Sequence, residues 1–573
     1  MSKLCLITTI VVAILFQFPT AVHALGQPVF ASHIKGIEGP LKLAVETRLN
    51  AAMANQVQPL TPTTILKCYE DNTRIILKTL QAYGYYRASI SKELVHLNDY
   101  WEAIYTIQAG PPLRITHLKF QIIGEGEYER YFQELLTKLP LHQHEVMSIE
   151  NYNKTKQLLF TTAEQQGYLK AQLIQHTICI DLTSYTADIT IIFDTGPRYY
   201  FGPVNFNSTP LNEKFLQRFI SFKQGEPYSS TKLLKFQESL TNSNYFTDVS
   251  VEPDLNPDAY EVPLKTKVSM RKKYQYTFGL GYGTDTGVRA ILGWDWRYVT
   301  TTGQQLSTLL QLSQVQRLIN ATYSIPGSNP LTEQYNINSS GFDNILPHGR
   351  SQTYQMGVNY VKTLEKWQQI ISLNYQLGRF TLNNQPYQAT HILTPAITWT
   401  YTDTDNLIFA SRAQKFNFRI QGASKNILSD NNLIQTEIYD KIIHTFQFGQ
   451  RVLVRGDLGY SVVNDLTSLP LTLQFVAGGT QSVRGYPYQS LGPGRYLTVG
   501  SVELQQPLFY KIYATGFYDI GNAYNNGNAS LMSGAGLGLM WASPIGALEL
   551  TIGKALNKKG QPTLIQFSMG PDL

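Results

Sequence analysis

At 573 residues the chain is too long for one ordinary domain, so several are expected. Charged residues make up 15% of it, against about 25% in a typical soluble protein, while aromatics reach 12% with 36 tyrosines. Low charge with abundant Tyr, and no long apolar run beyond the N-terminus, suits a membrane-spanning β-barrel of the outer-membrane type. The net charge of +6 is spread thinly with no Lys/Arg block, which argues against nucleic-acid binding.

The chain opens with Lys3, an apolar run from Leu4 to Phe16, Pro19 and the small-residue ending Val22-His23-Ala24. The run is too short to span a bilayer, and this order is that of a cleavable secretory signal, residues 1–24. Of the three cysteines Cys5 leaves with the signal. Cys68 and Cys179, in different domains, are expected as small core residues, since two distant thiols make no disulfide framework. No CxxC or Cys/His cluster points to a metal, and no cofactor is expected.

Residues 25–272 repeat one pattern three times: a short strand, two amphipathic helices, then two strands. The predicted domains are 25–110, 111–196 and 197–272. The helix-to-strand joints read LQAYGYYRASI from Leu80, AEQQGYLKAQL from Ala163 and LTNSNYFTDVS from Leu240. Gly84, Gly167 and Asn244 recur at intervals of about 80 residues, the signature of an array of small domains. Gly and Asn end helices in the left-handed conformation, so each joint is a C-cap leading into a strand, with Tyr85, Tyr168 or Tyr245 turned back onto the helix. The first two units close at Gly110-Pro111 and Gly196-Pro197; the third has no such break and runs on toward the barrel. Each unit leaves a strand edge that either packs on its neighbour or accepts an extended polypeptide.

From Tyr274 the period changes to two. Tyr274, Tyr276, Phe278, Leu280 and Tyr282 share one face, with Gly279, Gly281 and Gly283 on the other. The alternation recurs in Val288 to Tyr298, Ile371 to Leu377, Leu393 to Tyr401, Leu537 to Trp541 and Ile565 to Met569. An apolar face opposite a face with charges reads as lipid-out and lumen-in, and residues 273–573 accommodate about 16 strands. The last strand, with Ile565 and Phe567, ends in Gly570-Pro571, and proline cannot donate to a ladder. Together with the inward glycines Gly279 and Gly281 this weakens the seam between first and last strands, as lateral opening would require.

Between two strand-like runs lies a Gly- and Pro-rich stretch, Gly478 to Tyr496, with Arg484 at its centre. A loop this long is functional or disordered, and its tyrosines favour packing. Its Val483-Arg484-Gly485-Tyr486 core resembles the inward-folded loop motif of the BamA/TamA outer-membrane assembly superfamily. FYDIGNAY, Phe517 to Tyr524, is similar to that superfamily's second barrel motif, in which an inward Asp receives the loop arginine. GSVELQQPL, from Gly500, resembles the strand between them, with Glu503 as a second acidic partner. GLMWASPIGALEL, from Gly538, and the closing SMGPDL resemble the TamA branch, the barrel subunit of the translocation and assembly module. Parity agrees independently. Val502 and Leu504 face lipid, so Glu503 faces the lumen; Tyr518 and Ile520 face lipid, so Asp519 does too.

The resemblance implies three α+β POTRA repeats followed by an all-β barrel in the outer membrane of a Gram-negative cell. It implies a factor that helps insert or secrete autotransporter-type and other β-barrel proteins, with unfolded outer-membrane proteins, outer-membrane lipid and a TamB-like inner-membrane-anchored protein as partners. Two alternatives remain open: the pore of two-partner secretion, which carries two POTRA domains and a plug helix, and phospholipid transport between the membranes. Nothing indicates an enzyme, for there is no GxSxG, P-loop or HExxH. His142-Gln143-His144-Glu145 reads as a solvated turn, and Asp403-Thr404-Asp405 as a polar turn rather than a calcium site.

Overall fold

The computed structural model describes residues 29–54, 61–97, 100–256, 259–382, 386–526, 530–544, 546–570 and 572; the predicted secretory signal and Pro571 lie outside them. The chain divides into two compact units.

The first unit carries the first two repeats. Repeat one runs β1 (Val29–Lys35), α1 (Gly39–Ala54), α2 (Pro62–Ala82), β2 (Ser89–Leu97) and β3 (Tyr100–Gln108). Repeat two runs β4 (Arg114–Ile123), α3 (Arg130–Leu136), α4 (Ile149–Gln165), β5 (Gln172–Asp181) and β6 (Thr186–Asp194). Each makes a three-stranded sheet, β1-β3-β2 and β4-β6-β5, with the last strand in the middle. Side chains cap the longer helices: Thr61 Oγ1 accepts from Thr64 N–H (3.2 Å) ahead of Pro62, and Ser148 Oγ accepts from Asn151 N–H (3.3 Å). The central strand meets the helices in the core, with Tyr105 and Ile107 against Val45, Leu49, Ile76 and Leu80 in repeat one. In repeat two, Ile189, Ile191 and Phe193 pack with Phe132, Leu159 and Ala163. At the joints Gly84, Gly167 and Asn244 have φ of +86°, +90° and +64°. Tyr85 N–H reaches back to Leu80 O (2.9 Å) and Tyr168 N–H to Ala163 O (2.8 Å), closing both helix ends.

One expectation fails here. Cys68 is buried, but Cys179 is exposed. Cys179 lies on the edge strand β5, whose burial pattern is almost wholly exposed, so period two correctly separates its faces yet nothing covers the one bearing the thiol. The His142–Glu145 segment lies in the connection between α3 and α4.

The second unit holds most of the third repeat and the barrel. The repeat comprises β7 (Tyr200–Phe206), α5 (Glu213–Leu216), α6 (Ser230–Asn242), β8 (Phe246–Pro253) and β9 (Glu261–Met270), in sheet order β7-β9-β8. The barrel begins β10 (Tyr274–Gly283), β11 (Gly287–Trp296), β12 (Gln305–Leu312), β13 (Gln316–Pro326), β14 (Glu333–Leu346) and β15 (Gly349–Leu364). It continues β16 (Trp367–Leu382), β17 (Gln388–Thr404), β18 (Arg412–Ala423), β19 (Leu433–Thr445) and β20 (Arg451–Val463). A long loop carrying the short pair β21 (Phe475–Ala477) and β22 (Leu491–Gly494) follows. The last strands are β23 (Tyr496–Phe509), β24 (Ile512–Tyr524), β25 (Met532–Ser543), β26 (Gly546–Ala555) and β27 (Thr563–Gly570).

Sixteen strands form one sheet from β10 to β27, with neighbours antiparallel. The usual rule of burial is inverted. Phe278, Leu292, Leu373, Leu504 and Leu550 point outward and are exposed, while Gln376, Gln421, Gln435, Gln505 and Thr551 point inward and are buried. That is the pattern of a barrel solvated by lipid outside and by its own polar side chains within. Because the periplasmic repeats enter at Tyr274, the turn 284–286 lies at the extracellular end and the turn 297–304 at the periplasmic end. The Asp403–Asp405 stretch ends β17 at a periplasmic turn, where Asp405 accepts from Ser411 N–H (2.9 Å).

Candidate functional site

The loop after β20 folds into the barrel. Its first part makes two 3₁₀ turns, Leu466–Ser468 and Leu471–Leu473. Leu466, Leu469 and Leu473 pack on the inward-facing Ile392, Leu433 and Val463, and Leu471 on Phe380 and Leu382. This sets an apolar plug at the extracellular end. Beneath it a polar chamber of about 540 Å³ is lined by Gln376, Gln435, Arg419, Glu437 and Asp457 among others.

The second part carries the motif. Val483 and Tyr486, 0% and 2% exposed, pack with Phe475, Leu497, Val499 and Ala555, which drives Arg484 between them down toward β23 and β24. Arg484 Nε donates to Asp519 Oδ2 (2.8 Å) and Nη2 to Asp519 Oδ1 (3.0 Å), a bidentate pair, while Arg484 N–H also reaches Oδ2 (2.9 Å). Nη1 donates to Glu503 and, at 3.4 Å, to Glu549. The guanidinium lies 3.7 Å from the centre of the Phe517 ring. Ser501 Oγ donates to Asp519 (2.6 Å), and Gln505 Nε2 to Glu503 (2.6 Å). Arg484, Asp519 and Glu503 are 4%, 0% and 6% exposed, so every charge depends on its partners rather than on water.

Backbone shape makes room for this. Gly485 has φ of +87°, and a Cβ there would lie 2.9 Å from the Lys554 carbonyl carbon. Opposite, a Cβ on Gly534 would lie 1.9 Å from Arg484 O, and one on Gly553 2.8 Å from Gly485 N. The loop backbone therefore rests on a glycine floor formed by β25 and β26. Gln566 of β27 accepts from Gly485 N–H (2.9 Å).

At the seam no ladder joins β27 to β10 among the described residues. Thr284 N–H donates to Phe567 O (3.3 Å) and Phe567 N–H to Thr284 Oγ1 (3.0 Å), and the Tyr282 and Phe567 rings stack at 6.3 Å. A Cβ on Gly281 would sit 3.9 Å from the Met569 methyl. Farther toward the periplasm, Tyr274 to Phe278 are all exposed, including Gln275 and Thr277, whose parity points inward. Gly279 packs on Ile291 of β11, Ile565 is exposed to lipid, and Gly570 is the last residue of β27. Asp572 then turns inward. Its carboxylate accepts from the buried Arg451 (2.7 Å) and from Ala410 N–H (2.7 Å), and its main-chain oxygen from Lys441.

The structure thus brings Arg484, Asp519 and Glu503 together and sets the two seam strands side by side only where the extracellular end of β10 meets the last residues of β27. Sequence reasoning missed Glu549, Ser501, Gln566, the glycine floor and the Arg451–Asp572 pair. One signal for the floor was present, the alternate glycines Gly534, Gly536 and Gly538 on the inward face of β25. Among the described residues no group of three or more His, Cys, Asp or Glu could hold a metal ion.

Comparison with known proteins gives three family matches: the Omp85 superfamily domain over residues 261–572, the POTRA domain "TamA domain 1" over 32–109, and the "surface antigen variable number repeat" POTRA family over 199–271. Two curated relatives are outer membrane protein assembly factors BamA. That of Buchnera aphidicola is 24% identical over 34% of this chain and 32% of its own length. That of Nitratidesulfovibrio vulgaris is 21% identical over 85% of this chain and 66% of its own. The chain thus spans a third to two thirds of the length of these relatives. The crystal structure of Haemophilus ducreyi BamA lacking POTRA domains 1–3 shares the fold, with a TM-score of 0.68 at 17% identity, covering 79% of this chain and 99% of that one.

Proposed function

The chain belongs to the Omp85 superfamily, as an outer-membrane β-barrel assembly or secretion factor with periplasmic POTRA domains, and from that premise we propose that it inserts β-barrel precursors through its own seam. The observation that carries this is the free edge of β10: on the side away from β11, Tyr274 to Phe278 pair with no strand among the described residues, although the same two closing strands touch at Thr284 and Phe567. An unpaired edge offers main-chain donors and acceptors to any extended strand, so it recognises a barrel precursor without reading its sequence. Parting the seam breaks few hydrogen bonds, and no nucleotide or covalent step is needed, since strand pairing and apolar burial supply the free energy.

Within the superfamily the reading is of the TamA type. The match of the first repeat to the TamA domain 1 family supports it. A TamB-like protein anchored in the inner membrane would then pair with the periplasmic array, where edge strands such as β5 are exposed, and autotransporter-type chains would be among the clients. The apolar plug at the extracellular end weighs against a standing secretion pore.

Photo-crosslinking from positions along Tyr274–Gly283, in cells exporting barrel precursors, tests this. Adducts with the C-terminal strands of those precursors are expected. Adducts with a soluble exoprotein from lumen-facing positions would move the reading to two-partner secretion, and lipid adducts alone to phospholipid transport.

A further inference from the structure

On the fourth to seventh strands from the seam, β13 to β16, the outer face of the barrel carries a cluster of charges near its extracellular end. Arg317 (β13), Asp343 (β14), Gln352 (β15) and Arg379 (β16) stand in one cross-strand row, each opposite the next. Arg350 lies two residues nearer the extracellular turn. The row below it reads Leu310, Ile319, Gly341, Tyr354 and Leu377, again paired strand to strand. Of these, Ile319, Tyr354 and Leu377 are exposed. Because Gly341 has no side chain, the surface dips between Ile319 and Tyr354 into an open groove of about 620 Å³, which Arg317, Asp343 and Arg379 rim.

The ion pairing within this patch is incomplete. Arg350 takes both oxygens of Asp343, at 2.8 and 2.7 Å. Arg317 approaches the same carboxylate only to 3.9 Å, with its side chain 63% exposed. Arg379 donates to the neutral Gln352 (2.8 Å) and lies 5.7 Å from the Tyr387 ring, with no acidic partner among the described residues. Two guanidinium groups therefore share one carboxylate and a third has none among the described residues, on the side that meets the outer leaflet. Arginine on the lipid face is tolerated near the interface and costly toward the midplane, and this row sits beside the extracellular turns. A guanidinium fork matches a phosphate in two places at once.

We propose that this patch is a binding site for a phosphate-bearing lipid of the outer leaflet, with the headgroup phosphate held between Arg317 and Arg379 and an acyl chain laid over Gly341. The site would hold this wall of the barrel in one lipid environment while the seam works. It depends on the outer-membrane setting and not on what passes through the seam.

The test uses the full-length protein in nanodiscs of phosphatidylcholine doped with dioleoyl phosphatidic acid, with retained lipid counted by native mass spectrometry. The wild type is expected to retain phosphatidic acid over phosphatidylcholine, and Arg317→Gln/Arg379→Gln to lose that preference by about tenfold. Lys362→Gln, which removes a lipid-facing cation at the periplasmic end, should keep it. Gly341→Leu, by filling the groove, should lower retention while headgroup preference persists. If the double variant does not fold, Arg379→Gln alone serves, since that side chain is exposed and, among the described residues, hydrogen-bonds the neutral Gln352. Equal preference in the arginine variants, an equal loss in Lys362→Gln, or no preference in the wild type would overturn the proposal. Unchanged retention in Gly341→Leu would remove the groove from it.

Discussion

Asp285, in the turn between β10 and β11, accepts two hydrogen bonds from Thr480, one from its main-chain N–H and one from its hydroxyl, both at 2.7 Å. Thr480 belongs to the loop that carries Arg484, and Asp285 follows Thr284, which holds Phe567 across the seam. The motif loop is thus tied to the first hairpin at the point where the barrel is fastened. Asp285→Ala should cost about 1.5–3 kcal/mol locally, the range for a hydrogen bond to a charged group. Amide exchange across Thr284–Gly287 should rise while exchange in β15 and β16, far from the turn, stays unchanged. An unaltered turn would show that the loop does not fasten the seam.

Arg484→Ala leaves Asp519, Glu503 and Glu549 facing one another inside the lumen. Removing one partner of a buried ion pair typically costs about 3–5 kcal/mol. The loop should become protease-sensitive while the other strands still form. Arg484→Lys should rescue only part of the loss, because an ammonium cannot make the bidentate contact with Asp519. Combining Arg484→Ala with Asp519→Asn should be less damaging than the sum of the two, since each leaves the other's partner exposed to the same vacancy. Additive losses measured by denaturant titration of the loop would break the pairing scheme.

The glycine floor makes a separate prediction, because it involves shape and no charge. Gly534→Ala places a methyl where Arg484 O now sits, and Gly553→Ala one against Gly485 N. Either should expel the loop, expose Tyr486 and mimic Arg484→Ala in protease sensitivity. Gly456→Ala, where a Cβ would meet nothing within 4 Å, is the control and should behave as wild type. A loop that stays protected in Gly534→Ala would mean that β25 yields to it.

How far the sequence carries depends on the range of the interaction. Strand faces were legible because lipid forces period two: Tyr518 and Ile520 point out, so Asp519 points in. The same parity applies to Glu549 between Leu548 and Leu550, yet nothing local says that Arg484 returns to it, since that contact spans 65 residues. Asp285 reads as an ordinary turn residue until the loop arrives from 195 positions away. Cys179 was misjudged because alternation separates the two faces of a strand without saying whether anything covers either. The three-repeat array was readable from its helix ends, where only Gly or Asn sits easily at positive φ.

Within the second unit the third repeat is held to the barrel's periplasmic turn by Tyr245, whose hydroxyl donates to Gly303 O, and by Asn212 N–H to Thr301 O (2.8 Å). Gly303 also packs on the Phe215 ring. Burial pushes the Tyr245 phenol up to about 12, with a hydrogen bond involving Gln305 and the charge of Arg218 opposing. A phenol whose pKa is raised by folding contributes fully below its unfolded value, near 10, and that contribution is lost as pH rises through about 12. The joint should therefore loosen between about pH 10 and 12, as amide exchange at Thr301–Gly303 would report. Tyr245→Phe should loosen it at neutral pH and abolish the alkaline step; a step that survives in Tyr245→Phe would assign it to another group.

The seam itself can be locked. Tyr282 and Phe567 stack across it with ring centres 6.3 Å apart, so their side chains leave the two strands on the same, lipid-facing side. Thr284 stands directly opposite Phe567, so Thr284→Cys with Phe567→Cys should form a disulfide on oxidation, and the bond would fasten the first hairpin to β27. If precursors enter by pairing with β10, the oxidised double variant should lose most insertion activity and the crosslinks from Tyr274–Phe278 to precursor strands. Reduction should restore both. Either single variant should be indifferent to oxidant, which separates locking from damage. Full activity in the oxidised form, with the disulfide verified on the gel, would mean that the seam need not part there and that assembly proceeds through the free periplasmic half of β10 alone.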